Sequence, residues 1–219
     1  MSKIRIICLA LFAVFAFGAF AATAAFAEEH EWLLNGNPLP TGTRDLVEAE
    51  APSIEVEDKK GGLFGEAVKV LCSGRYEGLV GPGKEDEITE ITNLAGTARD
   101  ITDCVNDGNC PSPILDEPLN LPWLTELTLN GSALRDLILE HENRGAPGWM
   151  ATCFGFSDTC TEKEISMLVE NNAAEKDVVA TFDLTSEEEP ANCTRGGTGS
   201  FFVRGTVLIL APEGTLEVN

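Results

Sequence analysis

The chain has 219 residues, 36 of them Asp or Glu and 15 Lys or Arg, for a formal charge of −21 at neutral pH. A surface this acidic repels phosphate backbones, which excludes nucleic acid and anionic membrane surfaces as partners. The length suffices to bury a real core, and the charge reads as a solvated exterior rather than as a site for cations or basic ligands.

Lys3 and Arg5 open the chain, followed by residues 6–27, all apolar or small except Thr23, and then abruptly by Glu28, Glu29 and Glu31. This is the layout of a secretory leader. Ala25-Phe26-Ala27 supplies the small-x-small site and places cleavage after Ala27, with Ala22-Thr23-Ala24 as a second site. The same 22-residue run is long enough to cross a bilayer, so the alternative is an N-terminal membrane anchor left uncleaved. Cys8 lies at the start of that run, whereas a lipid-attachment cysteine would lie at its end. No later apolar run matches it, so no membrane span is expected after cleavage. The leader holds two basic and no acidic residues, so the remaining 192 residues carry a charge of −23.

Glycine, proline or Asn-Gly interrupts the mature sequence about every ten residues, with β-branched and other apolar residues between. This rhythm predicts a sandwich or barrel rather than βαβ units. The run "WLLNGNPL" (32–39) is broken by Asn35-Gly36, and "SIEVED" (53–58) alternates Ile54 and Val56 with acids. Next, "EAVKVLCSG" (66–74) sets Val68, Val70 and Cys72 on one face, and "YEGLVGPG" (76–83) ends in a Pro-Gly turn. Residues 111–122 hold four prolines, which cannot donate to a sheet, and read as an extended connection between two halves of the fold.

The segment "TELTLNGSALRDLIL" (125–139) reads as a hairpin about Asn130-Gly131, with Leu127 and Leu129 before the turn and Leu137 and Leu139 after it. In "TEKEISMLVENN" (161–172), Thr161 and Glu164 form a capping-box pattern, and Ile165, Leu168 and Val169 fall at helical spacing. Ile165, Met167 and Val169 also alternate, and the neighbouring β pattern favours a strand. In "DVVATFDL" (177–184), Val178, Ala180, Phe182 and Leu184 share a side. The nearly continuous apolar run "FFVRGTVLIL" (201–210) predicts a central strand buried on both faces.

Six cysteines remain after the leader: Cys72, Cys104, Cys110, Cys153, Cys160 and Cys193. An even number in an exported chain predicts three disulfides. Turn-rich loops favour Cys104–Cys110 and Cys153–Cys160, which leaves Cys72–Cys193 to tie early chain to late. That tie would straddle the proline segment, so residues 28–219 are expected to form one β-rich extracellular domain, with 111–122 as a possible division into two lobes. Neither close pair has zinc-ligand spacing, and C-x-x-C is absent. The expected fold class is all-β, an antiparallel sandwich or barrel-like domain with disulfide-closed loops.

Chemistry is sparse. There is no G-x-S-x-G elbow, "GTGSFF" (197–202) being the nearest approach. His30 sits near the mature N-terminus and His141 in a loop, neither placed as a base. Paired carboxylates cannot be chosen among 36 acids. Asp103, Asp107 and Gly108 echo the front of a calcium loop, but Val105 and Ile114 stand where two ligands belong, so an ordinary turn is favoured. Asn130 and Asn192 match the glycosylation pattern. Trp32, Trp123, Trp149 and Tyr76 could stack on a sugar, although so few aromatics favour core roles. No catalytic residue, metal or cofactor is predicted.

At "EWLLNGNPL" (31–39), "VLCSGRYEGLVGPGKEDEIT" (70–89), "NLPWLTEL" (120–127) and "EEPANCT" (188–194), the chain resembles an uncharacterised family of exported, β-rich bacterial proteins. The resemblance implies export and a β-rich fold, and it supplies no activity or site residue. The expected function is a secreted or cell-surface, non-enzymatic protein in a structural or interaction role, with an extracellular or cell-wall partner. The alternative is a carbohydrate-binding module or weakly marked glycoside hydrolase, which an aromatic-floored groove or two converging buried carboxylates would favour.

Overall fold

Apolar residues at every second position give each strand one face to bury, and a computed structural model shows where those faces meet. It describes residues 30–82, 86–93, 104–106, 114–153, 155–184 and 192–219. Ala25, Ala27, Asp103, Asp107, Gly108 and Cys110, singled out above, lie outside the described residues, as does the side chain of Cys153.

β1 (Trp32–Leu34) and β2 (Asn37–Pro38) form a hairpin about Asn35-Gly36. The long strands β3 (Asp45–Asp58) and β4 (Val68–Val80) follow, then β5 (Asp86–Thr92), β6 (Cys104–Asn106) and β7 (Ile114–Leu119). Next come β8 (Trp123–Asn130), β9 (Ala133–Leu139), β10 (Gly148–Cys153), β11 (Phe156–Thr161), β12 (Glu164–Asn172) and β13 (Asp177–Leu184). β14 (Asn192–Cys193), β15 (Gly197–Thr198), β16 (Phe201–Leu210) and β17 (Leu216–Val218) end the series.

Eight of these strands, β3, β4, β5, β8, β9, β12, β13 and β16, pair antiparallel in that order, and β16 returns to β3. The result is an eight-stranded up-and-down barrel, an architecture that leaves no free edge in its wall. Closure demands a local irregularity where β16 meets β3. Gly205 stands there at φ +145°, and a Cβ at this position would lie 2.5 Å from the Ser53 carbonyl oxygen. The outward face of β3 carries Glu48, Glu50, Glu55 and Glu57, and Glu55 pairs with Lys69 at 3.2 Å and Arg204 at 2.9 Å. A lipid-facing wall would carry an apolar band instead. No helix among the described residues is long and apolar enough to cross a membrane.

Connections alternate between the two ends of the barrel. The Gly131-Ser132 turn and the 173–176 turn lie at one end, and β5, β9 and β13 finish at the other, each followed by a long connection before the next barrel strand. The long connections carry β15, β14, β11, β10 and β7, which form a five-stranded sheet in that order. This sheet caps the barrel by way of Trp149 of β10, which meets Trp123 edge-on at 5.0 Å and Phe201 at 5.9 Å. The opposite end is covered by the small sheet β17-β1-β2. There Asn171, at the end of β12, holds Val218 through both its backbone groups, at 2.7 and 2.8 Å.

The all-β expectation holds, and so does the strand at 164–172, where Ile165, Met167 and Val169 are buried. Three local expectations change. Along β16 both faces are buried only at Phe201, Phe202 and Val203; beyond Arg204 burial alternates, because a barrel wall has one inside. Residues 114–119 of the proline segment form β7, an edge strand, where Pro118 can sit without a donor. On β9 the buried side chains are Asp136 and Ile138, and Leu137 and Leu139 are only partly buried.

The cysteine pairing also differs. Cys72 joins Cys104 and Cys160 joins Cys193, each directly opposite its partner on a neighbouring antiparallel strand. These links replace the expected Cys104–Cys110, Cys153–Cys160 and Cys72–Cys193 pairing. Strand register set the partners, whereas closeness in sequence had favoured the short loops. Both bridges are compatible with an oxidising, extracellular location. Peptide mapping without reductant should return 72–104 and 160–193 linked fragments; recovery of 104–110 or 153–160 links would contradict this register.

Candidate functional site

Beneath the terminal sheet, three neighbouring strands each turn a polar side chain into the barrel interior. β5 contributes Asp86, β8 contributes Thr125 and β9 contributes Asp136, respectively 3%, 5% and 4% exposed. Register brings them together, with Asp86 opposite Thr125 and Asp136 between Leu127 and Met167 on the adjoining strands. Trp32 of β1 reaches in from the terminal sheet, and its Nε1 donates to Asp86 Oδ2 at 2.5 Å. The Gly81 N–H donates to Asp86 Oδ1 at 2.9 Å.

Asp136 is held differently. Thr125 hydrogen-bonds its carboxyl, but Oδ1 has no partner among the described residues. Burial, reinforced by the charge of Asp86, pushes the Asp136 carboxyl up to about 7 against the opposing Thr125 bond. Burial likewise raises the Tyr76 hydroxyl above its ordinary range. These groups line a cavity of ≈ 50 Å³ whose walls include Trp32, Tyr76, Met167 and Phe182. A water-sized centre needs about 10–15 Å³, so the space accepts a few non-hydrogen atoms. Chemically it offers an acceptor oxygen, a second carboxylate and aromatic walls. That suits holding a small donor.

A second carboxyl pair lies at the capped end. Asp58 closes β3, Asp158 lies on β11, and the two side chains are hydrogen-bonded to each other. Asp58 accepts from Lys60 N and Gly196 N, each at 2.9 Å. Asp158 Oδ1 accepts from Thr194 Oγ1 at 2.8 Å and Arg195 N at 3.0 Å. Burial first, then the bond to Asp58, pushes Asp158 up to about 6. Cys160 and Cys193 lie within 4.8 Å of these carboxyls, but their sulfurs are bonded to each other. With four N–H or O–H donors already aimed at the pair, the arrangement is a clasp between barrel and cap rather than a cation cage.

Neither pair has glycosidase geometry. Hydrolysis of a glycosidic bond needs carboxyls about 5–9.5 Å apart across a groove that takes a sugar, whereas Asp58 and Asp158 touch and Asp86 and Asp136 face a cavity of only ≈ 50 Å³. Trp32, Trp123 and Trp149 are only 1–2% exposed and offer no stacking face. His30 Nδ1 lies 3.0 Å from the Asn219 carbonyl oxygen, and His141 Nδ1 accepts from Asn143 N at 3.1 Å within the 141–145 turn. Asn130 and Asn192 are both exposed.

Sequence reasoning named Trp32 and Tyr76 but missed Asp86, Thr125, Asp136, Asp58 and Asp158. The usable signal was an acid, beside Arg135, in a strand whose other five residues are apolar, "ALRDLIL". Comparison of the chain with family models, curated proteins and solved structures finds no match.

Proposed function

We propose that this chain is a secreted, non-enzymatic binding protein whose barrel, closed by its own terminal strands, holds a small guest beside Asp136. One observation carries this reading: a buried carboxyl oxygen without a partner among the described residues borders an interior cavity. Leaving such a group unsatisfied costs about 1–3 kcal/mol, and a fold that only needed rigidity would fill the position with an apolar side chain. The leader-like N-terminus and the cross-strand disulfides support export.

The test is a panel of two- to four-carbon alcohols, amines and carboxylic acids, read by tryptophan fluorescence and thermal melting. At least one class should raise the midpoint saturably, because a solute that binds only the folded state stabilises it. Ala49→Val, which adds two methyl groups to the cavity wall, should abolish the shift. The reading fails if no solute shifts the midpoint or if the shift survives in Ala49→Val. Recovery of a chemically altered solute would overturn the non-enzymatic part.

A further inference from the structure

The lining narrows what the cavity holds, an inference that rests on the binding role proposed above. Asp136 Oδ1 is an acceptor and calls for an N–H or O–H donor. Asp86, fixed by Trp32 and Gly81, makes the same space electronegative, so a charged donor is favoured over a neutral one. Trp32, Tyr76 and Phe182 present rings, whose faces attract cations most strongly when water is excluded. Met167 lies between Asp136 and Phe182 in the register and gives an apolar path leading away from the carboxyl. The volume of ≈ 50 Å³ admits about three to five non-hydrogen atoms.

We propose that the barrel binds a short primary alkylammonium ion, its nitrogen donating to Asp136 Oδ1 and its alkyl chain lying against Met167 and Phe182. A quaternary ammonium of similar size has the charge but no N–H, and an alcohol has a donor but no charge. Both should bind poorly. The ion pairs with the ionised form of Asp136, so affinity should rise with pH from 6 to 8. The other titratable residues lining the cavity are Tyr76 and Glu77 from β4 and Asp86 and Glu87 from β5. The remaining lining strands contribute none.

The experiment uses the purified mature protein and titrates propylammonium chloride at pH 8 against sodium chloride of equal ionic strength. 1-Propanol and tetramethylammonium serve as comparison solutes, with calorimetry and thermal melting as readouts. Saturable propylammonium binding, at least tenfold weaker in Asp136→Asn and for both comparison solutes, is the expected result. Equal binding of 1-propanol or tetramethylammonium overturns the ammonium assignment and leaves the binding role standing. Undiminished binding in Asp136→Asn overturns it too, since that variant keeps the shape but loses the charge and exchanges one acceptor oxygen for an N–H donor. If none of the three binds, the ammonium assignment falls, and the binding role falls with it only if the wider panel of alcohols, amines and carboxylic acids also leaves the midpoint unmoved.

Discussion

Asp136→Asn should stabilise the fold at pH 8 and leave it nearly unchanged at pH 4. The Asp136 carboxyl is 4% exposed and is pushed up to about 7, mainly by burial and secondarily by Asp86. An unfolded aspartate titrates near 3.9, so the folded state holds this proton more tightly than the unfolded state does. The wild-type protein is therefore favoured by Asp136 below about pH 4, loses stability as pH rises from about 4 to 7, and levels off above that. Asparagine has no proton to lose and escapes the decline.

Three pKa units correspond to about 4 kcal/mol, and local relaxation reduces this to roughly 2–3 kcal/mol at pH 8. Asp158, pushed up to about 6, adds a decline of the same sign over about pH 4–6, but it does so in both proteins and cancels. Urea unfolding of the two proteins at both pH values checks the difference. An equal gap at pH 4 and pH 8 would mean that Asp136 is not a buried titrating group.

Trp32→Ala carries the largest expected loss, about 3–5 kcal/mol. The indole is 1% exposed, forms part of the cavity wall and donates to Asp86 Oδ2. Truncation enlarges the cavity and takes away a donor that fixes a buried carboxylate. β1 also pairs with β17 along Trp32–Val218, Leu33–Glu217 and Leu34–Leu216, so loosening one strand exposes the other. Guanidinium unfolding measures the loss, and hydrogen exchange at 216–218 measures the opening. A loss under about 1 kcal/mol, with β17 still protected, would show that Trp32 does not hold the terminal sheet in place.

Period-2 alternation is a local property, and it marked residues 53–58 of β3, 68–72 of β4 and 178–184 of β13, whereas at β12, where helical spacing was also present, the neighbouring β pattern decided for a strand. The β8–β9 hairpin was also legible from its turn chemistry, although the loop is Gly131-Ser132, one residue beyond the expected Asn130-Gly131, and Asn130 still pairs with Ala133. Register is not local. Cys72 faces Cys104 and Cys160 faces Cys193 across separations of 32 and 33 residues, and only the pairing of strands reveals it. Asp136 was hidden for a related reason. Both parities of β9 contain apolar residues, and closure of the barrel, rather than the leucine count, decides that Asp136 and Ile138 face inward. Asp58 and Asp158 lie far apart in the chain, one in the barrel wall and one in the cap, so no spacing rule could join them.

The antiparallel pairing of β1 with β17 sets how the molecule answers to force. Tethers attached before Trp32 and after Val218 leave from the same corner, so tension between them peels the two strands apart one bond at a time instead of shearing the barrel staves. The stave wall, with each member gripped on both flanks, resists far longer. Under load the hatch above Asp136 gives way first and the vessel beneath it stays whole.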